Sequence, residues 1–178
     1  MDYDIIIIGS GPGGYVAAIR ASQLKMKVAV VEKADIGGVC LNWGCIPTKS
    51  LLRSAQVFDD LKHASEYGIS VAGELKADFS AIIARSRSVA EGMSKGVQFL
   101  FRKNNITLIR GKGRLAGANS VEIDDGEGNK TIKSAGHIIL ATGARSRELP
   151  GLKQDGKKVI GYREAMSLPV QPESMVVV

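Results

Sequence analysis

An N-terminal pattern of strand, glycine loop, helix and second strand constrains this chain more than any other feature. Residues 5–8 are all isoleucine and lead into the loop 9–14, whose sequence Gly-Ser-Gly-Pro-Gly-Gly satisfies G-x-G-x-x-G. A helix-forming run follows over 15–24, and a second apolar segment over 28–31 ends at Glu32. Continuous apolar runs of this kind are typical of parallel strands buried on both faces, so the pattern predicts an α/β fold.

The residues of this pattern have physical roles in binding a dinucleotide. Gly9 permits the tight turn, Gly11 lets the backbone approach a pyrophosphate, and Gly14 permits close packing of helix on strand. The helix N-terminus offers unpaired N–H groups and a partial positive charge to the phosphates. Glu32 stands at the strand end, where a carboxylate accepts hydrogen bonds from ribose hydroxyls. The pattern predicts dinucleotide binding, but it does not choose between NAD and FAD.

The two cysteines of the chain, Cys40 and Cys45, follow this unit directly. An ideal helix holds residues i and i+5 roughly 8.6 Å apart at Cα, whereas a disulfide tolerates only up to about 7 Å. A disulfide therefore requires a distorted backbone, which Gly44 and Pro47 make possible. Thiols held so close to a dinucleotide suit electron exchange with a flavin, which favours FAD over NAD.

The cysteine pair has three alternatives to a redox role. Two inert buried thiols remain an alternative, because the C-x4-C spacing alone is weak evidence for a redox pair. Zinc is disfavoured, since two cysteines and two histidines without ligand spacing make a poor metal site, and no metal is predicted. A secretory disulfide is disfavoured because we expect no signal peptide, and we predict a cytoplasmic protein.

Composition limits the partners. A chain of 178 residues with 44% apolar residues has enough material for one full domain. It contains no apolar run near the length of a membrane span, so no membrane partner is predicted. The net charge of +6 comes from basic residues scattered among 18 acidic ones, with only 5% aromatic residues. No nucleic-acid partner is predicted from that distribution.

The motifs together resemble the FAD-dependent pyridine nucleotide–disulfide oxidoreductases. The resemblance is carried by residues 9–14, Glu32, 37–49 and 141–143. Within that family, Leu41, Ile46 and residues 47–49 are most similar to the dihydrolipoamide dehydrogenases, with mercuric and glutathione reductases as alternatives. Val39 and Trp43 depart from the commoner residues, and we interpret both as packing variants.

The resemblance implies a Rossmann-like FAD-binding domain over 1–148, with a parallel sheet, helices on its faces and a small antiparallel β-meander. A linker and the first strand of an NAD-binding domain would follow over 149–178. Cys40 would exchange with the lipoyl substrate, Cys45 would lie against the flavin, and Lys49 would lie near the flavin ring. The implied cofactor-binding residues are Gly9, Gly11, Pro12, Gly13, Gly14, Glu32, Lys33, Gly38, Val39, Cys40, Cys45, Lys49, Gly113, Ala141, Thr142, Gly143 and Ala144.

The implied function is the FAD-binding, redox-disulfide part of an enzyme that oxidises dihydrolipoamide with NAD⁺. The family implies a homodimer and a lipoyl domain of a 2-oxoacid dehydrogenase or glycine-cleavage complex as partners. We expect this chain alone to be inactive, because the family's NAD domain and catalytic base match no part of it. The alternative function is a non-catalytic flavin- or nucleotide-binding module whose thiols sense redox state.

The remaining sequence predicts further elements. Asp78 is a predicted N-cap for a helix reaching about Lys103, with an apolar core stripe. That stripe consists of Phe79, Ile82, Ile83, Val89, Ala90, Met93, Val97 and Leu100. The predicted meander strands are 106–110, 114–115, 120–124 and 130–133, with a hairpin turn at 125–129 and another buried strand over 137–143. Short β segments are predicted within 68–77 and at 175–178, and the latter predicts self-association.

Overall fold

The computed structural model describes residues 1–178 as two compact units. The first, here called the sheet unit, combines Met1–Asn42 with Glu91–Arg145. The second, here called the helical unit, combines Trp43–Ala90 with Ser146–Val178. The domain boundary expected after residue 148 stays a prediction.

The helices and strands follow one another in an alternating order at first and in a run of strands later. In chain order they are β1 (Tyr3–Ile8), α1 (Pro12–Gln23), β2 (Val28–Glu32), α2 (Gly38–Trp43), α3 (Cys45–Lys62), α4 (Phe79–Lys103), β3 (Thr107–Arg110), β4 (Lys112–Gly117), β5 (Ser120–Asp124), β6 (Lys130–Leu140) and α5 (Tyr162–Ala165). A short 3₁₀ turn, Ala64–Tyr67, follows α3. None of the helices combines the length and the apolar composition that crossing a membrane requires.

The sheet unit contains one six-stranded sheet in the order β3-β2-β1-β6-β5-β4. The strands β3, β2, β1 and β6 are parallel, with Ile7 opposite both Val30 and Ile139. The strand β6 also pairs antiparallel with β5, which pairs with β4. This arrangement confirms the predicted α/β class, the parallel sheet and the antiparallel extension.

Burial explains why the N-terminal strands form the centre of the sheet. All five residues of β2 and the last four of β1 are buried. The helix α1 turns only small residues towards the core, namely Gly14, Ala18 and Ala21. Small side chains let the helix axis lie close to the strands, which positions its N-terminus at the sheet edge.

Three predicted strands differ from expectation. Residues 106–110 were predicted to begin the meander, but β3 pairs in parallel with β2, with Ala29 opposite Thr107. The connection from β2 to β3 includes the long helix α4, and a crossover of that length permits parallel pairing. The predicted strands 130–133 and 137–143 are one continuous strand, β6. Its end is not fully buried, since Leu140 is 59% exposed.

The start and end of α4 agree with the prediction. The Ala81 backbone N–H donates to Asp78 Oδ1 over 2.9 Å, so Asp78 caps the helix as expected. The helix ends at Lys103, before Asn105, whose φ is +52°. The predicted hairpin turn is also present, because the Asp125 N–H donates to the Asn129 carbonyl.

The predicted core stripe of α4 is wrong in part. Val89, Met93 and Leu100 are exposed, whereas Ala90 and Val97 are buried as predicted. The buried face also includes Ser86, Ser94 and Phe101, which were not in the predicted stripe. Burial of the two serines is tolerated because both hydroxyls donate hydrogen bonds: Ser86 to the Ile83 carbonyl and Ser94 to the Ile36 carbonyl. Apolar periodicity alone could not identify a buried face that carries two hydroxyls.

Two other predicted β segments do not form. Residues 68–77 and 175–178 contain no strand, and no strand of the chain pairs with either segment. A strand without a partner leaves its N–H and C=O groups to water, so nothing favours the extended conformation there. Val176, Val177 and Val178 are between 86% and 88% exposed, and self-association through them stays a prediction.

Candidate functional site

Three loops of the sheet unit begin at the same edge of the sheet. The strands β1, β2 and β6 run parallel and end together, and their loops are tied to neighbouring strand ends. The Gly9 N–H donates to the Val31 carbonyl over 2.8 Å, and the Ala141 N–H donates to the Ile8 carbonyl over 2.9 Å. The carboxyl edge of a parallel sheet is where open α/β folds bind ligands.

Two glycines of the loop after β1 are required by the fold itself. Gly9 has φ +105°, and a Cβ at this position would overlap the carbonyl of Ala141. A Cβ on Gly14 would overlap the carbonyl oxygen of Gly9. The tight turn and the close helix packing predicted for these two positions are therefore both present.

The other two glycines border open space instead. Gly11 has φ −66° and ψ −178°, and the nearest atom to a Cβ there is the Gly38 Cα at 4.0 Å. A Cβ on Gly13 would meet nothing within 4 Å. The helix α1 starts at Pro12, with no side-chain cap and no acidic residue in its first turn. These features fit the pyrophosphate of a dinucleotide, because they leave room and unopposed positive potential at a helix N-terminus.

The Glu32 carboxylate is nearly buried, with 9% exposure, and accepts three hydrogen bonds. Its Oε2 accepts from the Ser10 N–H at 2.8 Å and from the Ser10 hydroxyl at 2.7 Å. Its Oε1 accepts from the Ala34 N–H at 2.9 Å. A carboxylate has about four acceptor directions, so one on Oε1 remains for a ribose hydroxyl. Glu32 therefore fits its predicted role, while also anchoring the glycine loop.

Ser10 is a site residue that the sequence reasoning missed. It is completely buried, and besides its two bonds to Glu32 it accepts the Gly37 N–H through its carbonyl, at 3.1 Å, and through its hydroxyl, at 3.3 Å. It thereby joins the loops that follow β1 and β2. The signal was a hydroxyl residue directly after the first glycine, in the loop that follows a strand adjacent to one that ends in a carboxylate.

The loop after β2 lies against the glycine loop at Gly38, whose contact with a cofactor stays a prediction. Gly38 has φ +62°, and a Cβ there would come within 2.7 Å of the Gly11 Cα. The Asn42 amide donates to the carbonyls of Ile36 and Gly38, at 2.9 Å each, and fixes this approach. By contrast, the predicted residues Lys33 and Val39 are exposed beside the loop.

Gly113 and residues 141–144 complete the predicted set in the sheet unit. A Cβ on Gly113 would lie 3.1 Å from Ile8 Cγ2 and 3.2 Å from Val31 Cγ1, so this glycine packs on the ends of β1 and β2. Ala141 is half-buried and the next three residues are exposed directly after β6, at the same sheet edge. Their contact with a cofactor stays a prediction.

The backbone between the two cysteines is broken, as predicted. The helix α2 ends at Trp43, Gly44 has φ −142° and ψ −109°, and α3 starts at Cys45. Both cysteines carry thiols rather than a disulfide, with Cys40 half-buried and Cys45 exposed. Lys49 lies four residues after Cys45 and is exposed on the same side of α3.

Pro47 lies in the first turn of α3 and is buried there. Its missing N–H costs nothing at that position, because first-turn amides have no partner within the helix. The structure has no group of three or more His, Cys, Asp or Glu side chains arranged to hold a metal ion.

The fold and the site define a class: an α/β dinucleotide-binding domain, with a cysteine pair in the segment that follows its second strand. A family model identifies the family within this class. The chain belongs to the pyridine nucleotide-disulphide oxidoreductase family, whose model matches residues 3–178. This confirms the family resemblance found in the motifs, and with it FAD and a pyridine nucleotide as the cofactors of the family.

The relatives agree with this assignment. The chain is 49% identical over 178 residues to a dihydrolipoyl dehydrogenase of Zymomonas mobilis, covering 99% of this chain and 38% of the relative. It is 50% identical over 176 residues to a dihydrolipoyl dehydrogenase of Chlorobaculum parvum, covering 99% and 37%. The chain thus spans less than two fifths of the length of these relatives.

A solved structure shows the same fold. The crystal structure of LpdA from Mycobacterium tuberculosis superposes with a TM-score of 0.83 at 24% identity. The match covers 93% of this chain and 37% of that one.

Proposed function

We propose that this chain is the FAD-binding, redox-disulfide part of a dihydrolipoyl dehydrogenase. The observation that carries the proposal is the glycine loop of the sheet unit. Gly9 and Gly14, at its two ends, are fixed by packing, whereas Gly11 and Gly13 border open space. Ser10, between Gly9 and Gly11, binds the Glu32 carboxylate. The similarity to proteins named dihydrolipoyl dehydrogenase supports this branch of the family over the other reductases.

The residues that would hold FAD have separate tasks. The first turn of α1 binds the pyrophosphate through backbone N–H groups, and Glu32 Oε1 accepts a ribose hydroxyl. Ser10 positions Glu32 for that contact through its two hydrogen bonds. Bound FAD supplies the acceptor through which an electron pair from the dithiol reaches NAD⁺ as hydride.

The cysteines would perform the exchange with substrate. The two thiols of dihydrolipoamide reduce a Cys40–Cys45 disulfide, so that a lipoamide disulfide forms and both cysteines become thiols. The chain break at Gly44 supplies the non-helical backbone that such a disulfide requires. Lys49 places a positive charge on the same side of α3 as Cys45.

The proposal extends to the assembly, partner and location of the whole enzyme. A homodimer, a lipoyl-carrying partner and a cytoplasmic location follow from the proposed activity. For this chain alone we propose no turnover. Its two histidines are exposed, with His63 Nδ1 2.9 Å from the Asp59 carbonyl and His137 on β6.

The test uses the purified chain. FAD is added and binding is followed by quenching of flavin fluorescence. The oxidised protein is then treated with dihydrolipoamide, and its thiols are alkylated and located by mass spectrometry. We expect saturable FAD binding and the appearance of two new thiols, at Cys40 and Cys45. Absence of both results would refute the proposal, and NAD⁺ reduction by this chain alone would contradict the expected inactivity.

A further inference from the structure

Trp43 is the only tryptophan of the chain and stands between the two cysteines in sequence. In the helical unit its ring is approached by two guanidinium groups. The Arg87 Cζ lies 4.5 Å from the ring centroid, and the Arg163 Cζ lies 5.2 Å from it. Both distances are within the range of cation–π attraction. The ring is therefore held from α4 and from α5, two elements far apart in sequence.

A second contact joins α5 to the first turns of α3. Thr48 lies three residues after Cys45, and its hydroxyl donates to the sulfur of Met166, the residue directly after α5, over 3.7 Å. The Tyr162–Ala165 helix is itself fixed, because the Glu164 carboxylate accepts the Gly161 N–H over 3.0 Å. The segment around α5 thus contacts the chain on both sides of Gly44, at Trp43 and at Thr48.

Closure of the cysteine pair depends on the break that these contacts border. If α2 and α3 merged into one helix, Cys40 and Cys45 would be roughly 8.6 Å apart at Cα, beyond the reach of a disulfide. A backbone held in a broken state keeps the two thiols within the range of conformations that can close. An anchor beside the break raises the effective concentration of one thiol at the other.

We propose that Trp43, clamped by Arg87 and Arg163, is a positioning residue that maintains the chain break and thereby favours the Cys40–Cys45 disulfide. This inference rests on the proposed function, because it concerns the same dithiol. It assigns a task to Trp43, which the sequence alone suggested was only a packing variant. The arginines act through the ring and take no part in the sulfur chemistry.

The closure equilibrium of the full chain tests this role. The protein is equilibrated with mixtures of reduced and oxidised glutathione, quenched in acid and alkylated. In this reaction the two cysteine thiols form one disulfide bond, and glutathione disulfide takes up two electrons and two protons to give two glutathione thiols. The fraction of closed pairs at each mixture gives the equilibrium constant.

Arg163→Gln should lower the closure constant about fivefold, as expected for loss of one cation–π contact at a half-exposed ring. Trp43→Leu removes both contacts and should lower it at least as much. Trp43→Phe retains a π face and should stay within about twofold of the unmodified protein. The double variant Trp43→Leu/Arg163→Gln should have the same closure constant as Trp43→Leu alone, because the arginine acts through the ring.

Lys62→Ala is the matched control. It removes a cation–π contact of similar length, 4.9 Å to the Phe58 ring, at the far end of α3. It should leave the constant unchanged, and equal helix content by circular dichroism would show that all variants are folded.

Constants for Arg163→Gln and Trp43→Leu within twofold of the unmodified protein would overturn the inference and leave the proposed function intact. Additive losses in the double variant would also overturn it. If the unmodified protein formed no Cys40–Cys45 disulfide in any mixture, the proposed function would fail, and the inference with it.

Discussion

Substitution of alanine for single glycines of the loop after β1 should separate the needs of the fold from those of the cofactor. At Gly14, a Cβ would overlap the Gly9 carbonyl oxygen, which is backbone and cannot rotate away. Relief requires α1 to move away from β1, which loosens the contacts of Ala18 and Ala21 with the sheet. We expect Gly14→Ala to lose about 1–3 kcal/mol of unfolding free energy, as overpacked cores do.

Gly11→Ala should behave in the opposite way. The φ of −66° suits alanine, and the new Cβ would lie 4.0 Å from the Gly38 Cα, an ordinary contact distance. A weaker N-cap is partly offset by a less flexible unfolded chain, so stability should change by less than about 1 kcal/mol. The methyl group would, however, occupy space that the pyrophosphate needs. Loss of one charged hydrogen bond, worth about 1.5–3 kcal/mol, weakens FAD binding roughly 10- to 100-fold.

The assay is a urea denaturation curve for each variant, followed by titration with FAD. Each variant is the control for the other, because both add one methyl group within four residues of loop. Gly14→Ala as stable as the unmodified protein, or Gly11→Ala with unchanged FAD affinity, would refute the reasoning from the loop geometry.

Three further predictions concern single positions. Ser10→Ala removes a buried donor to Glu32 and should cost about 1–2 kcal/mol in denaturation experiments, with weaker FAD binding; an unchanged midpoint would contradict the role of Ser10. The pKa of Asp78 lies below its ordinary value of 3.8, because a backbone amide of α4 and a serine hydroxyl donate to the carboxylate. The stability from this cap should be complete above that value and lost as the pH falls through the lowered pKa; thermal melts of Asp78→Asn should show a smaller loss in acid. On α4, Met93→Lys should change the unfolding free energy by less than about 0.5 kcal/mol in urea denaturation. Ala90→Lys should unfold the protein or cost more than about 3 kcal/mol in that assay.

The glycine loop could be predicted in detail because its requirements are local. A positive φ at Gly9, a close approach at Gly14 and a helix N-terminus all arise within six residues. The same holds for the cap at Asp78 and the break at Gly44. In each case the chemistry of one or two residues decides the conformation, and no distant part of the chain needs to be known.

The errors arose where a distant part of the chain decides the structure. The composition of residues 107–110 does not distinguish a meander strand from a parallel strand. Only their pairing with β2 makes them parallel. Ser94 is buried on α4 because the Ile36 carbonyl, 58 residues away, accepts its hydroxyl. Ser10 was missed for the same reason, since its partner Glu32 lies on another strand. Apolar periodicity contains no information about such partners.

The double task proposed for Glu32 would couple the fold of the loop to the cofactor. Its three hydrogen bonds hold the loops after β1 and β2, and one acceptor direction on Oε1 remains for the proposed contact with a ribose. A ligand that uses this direction binds only when the loops are in place, so its binding free energy adds to their stability. FAD at 100 times its dissociation constant should therefore raise the unfolding free energy by about 2.7 kcal/mol. For Ser10→Ala the added stabilisation at the same FAD concentration should be smaller, since part of the binding free energy is spent on restoring the position of the carboxylate.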